Sequence, residues 1–357
     1  MKNVLWLTCL FVSFISTALP MDNQPENASE EKKSDAPNLE ERILLVLKYG
    51  TSMQVRDTIP KILKLEESKQ KVFIPELKKL AESRDVLLRR KLAEMIGKLK
   101  WSELDPLLAK LLAAPEDEIF YAVVVSLQKK KIPEALPIMI EQIKEADFTK
   151  ASNRVPDLLR LYGSYEDNTL CEFLFEVMNK EDTYQEFQFG ILKYFAKVKP
   201  VYQPSIDFSM EKLKDEEEDL KVRAMAVYVL GQQKIAAAAE DLRNELKKID
   251  EIADIDERRK YSQLRVNLIR SLTELEDENV ISILIEMSRD DDEKVRLKAV
   301  EQLAELNLEK YRELIEYKAK YDPSLKVQKK AKSYIEEDDE EKEEKAVERD
   351  DTEPGNS

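Results

Sequence analysis

Residues 219–231 read DLKVRAMAVYVLG, and this short stretch carries the features that decide the fold. Val222 and Leu230 are two turns apart with a small residue between them, so they lie on one face of an α-helix. Asp219 is positioned to accept hydrogen bonds at the start of that helix, and Gly231 is positioned to end it in a left-handed conformation. The stretch therefore predicts a short amphipathic helix with its own start and stop.

The same pattern recurs along the chain at intervals of roughly 31 to 42 residues, a spacing typical of stacked helical repeats. We call the position of Arg223 the marked position. The residues one before it and three and seven after it are apolar or aromatic in every copy, except at Arg154. Such a repeat predicts helices that stack side by side into an elongated array. The marked positions are Arg56, Arg89, Phe120, Val155, Gln188, Arg223, Arg265, Arg296 and Gln328.

This register resembles the HEAT repeat, a helix-turn-helix unit with an Asp, a Val-Arg pair, small residues and a terminal Leu-Gly. The resemblance covers residues 51–335 and is close at 85–97 and 219–231. It implies a superhelix of helix pairs that binds other proteins, and it implies no catalytic chemistry. It also implies that an arginine at the marked position bridges to an Asp of a neighbouring unit. The register departs from the family where the arginine is replaced, at Phe120, Val155 and Gln188.

Repeat and resemblance together predict an all-α fold over residues 39–335. We expect a right-handed α–α superhelix, a HEAT-like solenoid, of about eight to nine helix pairs. Asn38 is expected to cap the first helix, which would close the N-terminal end of the stack.

The N-terminus has the order of a secretory signal: Lys2, an apolar stretch over residues 4–15, and small residues before Ala18. The apolar stretch is too short for an ordinary membrane span. We predict a signal peptide over residues 1–18 whose cleavage leaves an exported chain without a membrane span, either periplasmic or secreted. An uncleaved segment that anchors the chain to a membrane remains the alternative. The polar residues 19–38 predict a disordered tether.

The acidity of the chain is concentrated at its ends. Formal net charge is −15, and residues 336–357 alone hold twelve acids and three bases. A run of like charges repels itself, so this segment predicts an acidic disordered tail. Residues 39–335 are close to charge balance, and their basic clusters are offset by nearby acids. The sequence therefore predicts no nucleic-acid partner, because such a protein needs a continuous basic face.

The composition argues against an enzyme. The chain has no histidine, which excludes imidazole catalysis and most zinc sites. Cleavage of the signal would leave one cysteine, Cys171, within an apolar stretch typical of a buried packing residue. No phosphate-binding loop or nucleophile motif is present, and the many acid pairs lack metal-ligand spacing. We predict no catalytic residues, no cofactor and no metal.

Eleven of the chain's Phe and Tyr residues lie between residues 162 and 208, where the register departs from the family. Tyr162, Phe187 and Phe195 occupy core positions of the repeat. Tyr165, Tyr184, Phe189 and Tyr202 lie off those positions and are the candidate partner-binding residues, because aromatic side chains dominate binding hot spots. Packing between repeats is the alternative for all four.

These observations predict a non-enzymatic protein–protein interaction scaffold in an extracytoplasmic compartment. The partner proteins would bind along the solenoid surface. Two alternatives stay open: a chaperone-like adaptor that uses the acidic tail, and an accessory or regulatory subunit of an envelope complex.

Overall fold

The computed structural model describes residues 38–152 and 154–350, with side chains described as far as residue 340. The predicted signal peptide, residues 19–37 of the predicted tether and residues 351–357 lie outside the described residues. Among the helices that are described, none combines the length and apolar character that crossing a membrane requires.

The described residues form α-helices joined by short turns, with no β-strand among them. In chain order the helices are α1 (Leu39–Tyr49), α2 (Ser52–Ile62), α3 (Glu67–Gln70), α4 (Ile74–Leu80), α5 (Val86–Ile96), α6 (Asp105–Leu111), α7 (Asp117–Lys129), α8 (Ala135–Lys144), α9 (Arg154–Gly163), α10 (Cys171–Met178), α11 (Gln185–Phe195), α12 (Gln203–Lys214), α13 (Leu220–Gln232), α14 (Ala239–Asp250), α15 (Ile255–Lys260), α16 (Ser262–Glu274), α17 (Val280–Met287), α18 (Glu293–Tyr321) and α19 (Leu325–Asp350).

Successive helices form the predicted helix pairs. The first pair joins α2 to the α3–α4 segment, and the last is made by the two halves of α18, which meet where Asn307 leaves helical geometry. Helix α1 precedes the first pair, α15 is an insertion before α16, and α19 opens a further unit. The α-solenoid superhelix predicted from the sequence is confirmed, with a pair for each of the first eight marked positions.

The stack has two layers of helices. One layer holds the helices that carry the marked position, which we call the marked helices, and each of these packs against the next along the chain. The alternate helices make fewer contacts within their own layer. In a curved stack the helices lie closest together on the inside of the curve, so the marked helices form the inner layer. They are α2, α5, α7, α9, α11, α13, α16, the first half of α18, and α19.

The apolar register positions form the core between the layers. Val222, Ala226 and Leu230 are all buried, as are Leu88 and Leu92 at the corresponding positions of α5. Burying one large aliphatic side chain contributes about 1.5–3 kcal/mol. Because each unit buries these positions against its neighbours, stability comes from the stacking of units.

Helix α13 begins as predicted but ends differently. The carboxylate of Asp219 accepts a hydrogen bond from the backbone N–H of Lys221 at 2.8 Å. The prediction that Gly231 ends the helix in a left-handed conformation is wrong, because α13 continues to Gln232 and no described glycine has a positive φ. The left-handed residue at this end is Lys234, with φ of 52°.

The repeated glycines instead allow close approach between marked helices. A Cβ atom added at Gly231 would lie 2.6 Å from the Cα of Ser271 on α16, and one at Gly97 would lie 2.9 Å from the Cα of Ser126 on α7. Both serine hydroxyls donate to a backbone carbonyl of the preceding marked helix, at 2.8 Å and 3.1 Å. We call this arrangement the glycine–serine contact. Gly163 occupies the same register position and faces Tyr194.

The arginines at the marked positions have the structural role that the resemblance implied. Each pairs with a carboxylate, and three of them are buried. The bridge to an Asp at the start of the next unit is confirmed for Arg56, Arg265 and Arg296, which pair with Asp85, Asp290 and Asp322, whereas Arg223 pairs with a Glu of its own unit. The pairs are Arg56–Asp85 at 2.9 Å, Arg89–Glu116 at 2.5 Å, Arg223–Glu245 at 2.6 Å, Arg265–Asp250 at 2.6 Å and Arg296–Asp322 at 3.1 Å.

The C-terminal part of the solenoid differs from the predicted boundary at residue 335. Helix α19 continues to Asp350, through the residues predicted to open a disordered tail. Two of the acidic side chains, Asp338 and Asp339, each lie 2.6 Å from the guanidinium of Arg312 on α18. Glu and Lys also have high helix propensity, so a charged run that finds partners on a neighbouring helix continues the helix.

Candidate partner-binding groove

Two of the four candidate aromatic residues pack between units. The hydroxyl of Tyr165 accepts a hydrogen bond from the backbone N–H of Ile132 at 3.0 Å, and burial raises the pKa of this phenol. The ring of Tyr202 stacks on Phe195, with ring centres 5.5 Å apart and planes 12° apart. These contacts explain both side chains as packing residues.

The other two candidates lie on different surfaces. Tyr184 precedes α11, is 40% exposed and touches Phe187 with ring centres 5.8 Å apart. Phe189 lies in the middle of α11 and faces a groove on the inner layer. The structure therefore does not bring the four aromatic side chains together, and only Phe189 belongs to a continuous binding surface.

The groove crosses four consecutive marked helices, α9, α11, α13 and α16, and has a volume of about 570 Å³. We call it the basic groove. Its charged lining is entirely cationic, and its apolar lining includes one aromatic side chain from α11 and one from α13. The main lining residues are Arg160, Phe189, Lys193, Lys197, Lys221, Met225, Tyr228, Gln263, Asn267 and Arg270.

Three lysines of the basic groove lack a close counter-charge. Within the described residues, Lys193, Lys197 and Lys221 are exposed and form no ion pair. Lys197 acts at longer range on Glu166, whose pKa is lowered chiefly by a hydrogen bond from Lys199 and further by the charge of Lys197. The sequence analysis did not single out these three lysines, and the fold places them on one surface.

The two arginines of the groove are held by acids at its edge. Arg160 pairs with Asp157 at 2.5 Å, one turn earlier on α9. Arg270 approaches Glu274 at 4.0 Å, and its guanidinium carbon lies 5.0 Å from the centre of the Tyr228 ring. Stacking of an arginine on an aromatic ring fixes both side chains, so this end of the groove is preorganised.

Side-chain amides line the same end of the groove. Asn267 donates to the backbone carbonyl of Ala224 at 2.6 Å, which joins α16 to α13. Gln263 is exposed and donates to the Asn267 side chain at 3.3 Å. An amide carries both donors and acceptors, so this pair can hydrogen-bond the backbone of a bound peptide.

The inner layer is less basic on either side of this groove. In the groove between α5 and α7, the carboxylates of Glu94 and Glu118 line the surface beside Arg90, Lys98 and Lys129, and Arg90 pairs with Glu94 at 2.9 Å. On α18 the exposed Glu305 accepts from the Tyr334 hydroxyl at 3.1 Å. The basic groove therefore differs from the groove between α5 and α7 in having no carboxylate among its lining residues.

The remaining chemical groups favour packing over catalysis. Cys171 is buried, its sulfur lies 3.2 Å from the hydroxyl of Tyr194, and burial raises the pKa of the thiol. A thiol held protonated in this way is a poor nucleophile. Among the residues that the structure describes, no group of three or more Cys, Asp or Glu side chains is arranged to hold a metal ion.

No family model and no curated protein matches the chain. Among solved structures, an engineered protein matches at 15% identity, over 83% of this chain and 87% of that one, with a TM-score of 0.37. The complex of CpcE and CpcF of phycocyanin lyase from Nostoc sp. PCC7120 matches at 18% identity, over 78% of this chain and 97% of that one, with a TM-score of 0.35.

A mutant of Kap121p matches at 13% identity, over 83% of this chain but only 36% of that chain, with a TM-score of 0.39. Likenesses of this size carry no information on function. The assignment of the helical-repeat fold therefore stands on the helix pairs and contacts of this chain itself.

Proposed function

We propose that the chain is a non-enzymatic scaffold that holds another protein along its inner layer, in an extracytoplasmic compartment. The observation that carries the proposal is the basic groove across α9–α16, where charged and aromatic side chains remain exposed on a surface built from four units. A repeat array exposes a long continuous surface that no single unit could provide, and such surfaces serve binding.

The proposed export depends on the N-terminal sequence. Lys2, the apolar residues 4–15 and the small residues before Ala18 have the order of a cleaved secretory signal. The chain lacks disulfide-forming pairs after cleavage, so the solenoid would rely on packing alone in an oxidising compartment.

Site-specific photo-crosslinking in the native host tests the scaffold. A photo-reactive residue at Phe189 or Tyr228 is expected to trap a defined partner. The same residue at Lys78 on α4 or Lys144 on α8 is expected to trap none, because those helices belong to the outer layer. Equal trapping from both layers would overturn the proposal that the inner layer binds the partner.

Export is tested separately. Residues 1–38 are fused to alkaline phosphatase, which is active only outside the cytoplasm, and the mature full-length chain is sequenced from its N-terminus. We expect enzyme activity and a mature chain that starts directly after Ala18. An inactive fusion would contradict the extracytoplasmic location, and an active fusion with an intact N-terminus would favour the anchored form.

A further inference from the structure

We propose that the basic groove binds an acidic, extended segment of a partner protein. The carboxylates of that segment would pair with Lys193, Lys197 and Lys221, and its apolar side chains would contact Phe189 and Met225. This inference rests on the proposed function, because it names the chemistry of the partner that the scaffold holds.

The first argument is charge. The chain as a whole carries 73 acids and 58 bases, yet no carboxylate lines the basic groove. Lys193 lies in the last turn of α11, and Lys197 follows two residues after the end of that helix. Lys221 on α13 adds a third cation, again without an ion pair among the described residues. A surface that concentrates uncompensated lysines in an acidic protein is complementary to an anionic ligand.

The second argument is the apolar part of the surface, which distinguishes a peptide from a nucleic acid. Phe189 and Met225 are half-buried in the floor, where they offer contact to aliphatic or aromatic side chains. The ring of Tyr228 is covered by the guanidinium of Arg270 at 5.0 Å, which leaves that ring face unavailable for stacking on a base. The lining therefore fits alternating carboxylate and apolar side chains.

The third argument is length. Packed helices lie 8–10 Å apart, so the span from α9 to α16 is about 30 Å. An extended chain rises about 3.3 Å per residue and crosses this span in about nine residues. The amides of Gln263 and Asn267 lie at one end and can bind the extended backbone. An α-helix of the same length needs about 20 residues and presents only one face to the groove.

Fluorescence anisotropy with the full-length mature protein tests the proposal. The probe is a fluorescein-labelled peptide of about nine residues in which Glu and Phe alternate. A peptide with Lys in place of Glu, and a single-stranded oligonucleotide of similar length, serve as comparison probes. We expect binding of the acidic peptide only, and affinity that falls as salt is raised from about 0.05 M to about 0.5 M.

Matched charge reversals locate the binding site. The variant Lys193→Glu/Lys197→Glu/Lys221→Glu is expected to weaken acidic-peptide binding by about tenfold or more. The control variant Lys78→Glu/Lys144→Glu/Lys180→Glu changes net charge equally at exposed lysines outside the basic groove, and it is expected to change affinity less than about twofold. Thermal unfolding of each variant confirms that both are folded. Phe189→Ala, which leaves charge unchanged, is expected to weaken binding in high salt as well.

Three results would overturn the inference. If both triple variants weakened peptide binding equally, the peptide would be attracted by the overall charge of the protein and not by the groove. If the oligonucleotide bound as tightly as the peptide, the groove would be a phosphate-binding site. If deletion of residues 336–357 raised peptide affinity severalfold, the chain's own acidic segment would be the occupant of the groove. If the triple variant lost peptide binding but kept the crosslinked partner, the scaffold would stand and this groove would not be its partner site.

Discussion

The guanidinium of Arg154 lies over the ring of Phe120, with its central carbon 4.9 Å from the ring centre. The same side chain pairs with Asp117 at 2.7 Å and donates to the backbone carbonyl of Ala114 at 3.1 Å. Both residues depart from the repeat: Phe120 is one of the residues that replace a marked arginine, and Arg154 replaces an apolar residue of the next unit. Each departure from the register thus compensates for the other, because the arginine lost from α7 is supplied from α9.

Replacing Arg154 with Ala is expected to lower the free energy of unfolding by about 2 kcal/mol, since it removes charge-assisted hydrogen bonds and a cation–π contact. Arg154→Lys retains a charge without the planar donor arrangement and is expected to restore less than half of the loss. Urea unfolding measures both values. An unfolding free energy unchanged in Arg154→Ala would show that the two irregularities are independent.

Replacing Arg223 with Ala is expected to destabilise the fold without weakening partner binding by the remaining folded protein. Arg223 is buried and bonds the Glu245 carboxylate at 2.6 Å and the Leu213 carbonyl at 3.1 Å, so its loss leaves buried polar atoms without partners at a cost of about 3 kcal/mol. Arg270→Ala in the basic groove is the matched control. It is expected to weaken peptide binding and to leave the stability of the fold nearly unchanged. Melting temperature and peptide affinity, measured on both variants, separate the structural arginine from the ligand-binding one.

Gly231→Ala is expected to destabilise the junction of α13 and α16 by about 1–3 kcal/mol, because the added Cβ would lie only 2.5 Å from the Cβ of Ser271. Ser271→Gly removes the opposing Cβ, so the double variant Gly231→Ala/Ser271→Gly should be less destabilised than the sum of the single changes. Strict additivity in denaturant unfolding would refute the close contact.

Stability is expected to fall in acid through Asp322. Burial alone would raise the pKa of this carboxyl, but hydrogen bonds from Arg296, from the backbone N–H of Ser324 and from Lys318 leave it below the ordinary value. An acid with a lowered pKa stabilises the fold above its unfolded pKa of about 3.9, and that stability is lost as the pH falls through the folded pKa. Asp322→Asn should therefore be much less stable than the wild type at about pH 7, and this difference should shrink as the pH falls below about 3.9. Urea unfolding at several pH values measures the difference in unfolding free energy between the two proteins. A difference that does not change with pH would contradict this assignment.

The fold was predictable from the sequence because its information is local and repeated. The spacing of Val222, Ala226 and Leu230 fixes a buried helix face, and Asp219 fixes its start. The glycine was misjudged for a physical reason: a glycine after an apolar run is compatible with a helix end or with a close neighbour. Only the position of Ser271, in the next unit, decides between them.

The candidate groove was less accessible to sequence reasoning. Arg160, Lys193 and Arg270 occupy the same register position, five residues after the marked one, so aligned copies of the repeat contain a signal for one basic surface. Ranking aromatic residues by local density instead favoured Tyr165 and Tyr202. Each contacts another unit, Tyr165 through the backbone of Ile132 and Tyr202 through the ring of Phe175. The helical course of residues 336–350 was also hidden, because it depends on Arg312 across the α18–α19 interface.

Glycines at the register position of Gly231 lie at alternate junctions of the inner layer between α5 and α16, two of them in the glycine–serine contact and Gly163 against Tyr194. Gly97, Gly163 and Gly231 bring α5 to α7, α9 to α11 and α13 to α16, whereas Gln128 and Ala196 take the same register position at the junctions between them. The α11–α13 junction, which the basic groove crosses, has no such glycine. Bending within α9–α16 is therefore expected to concentrate at this junction.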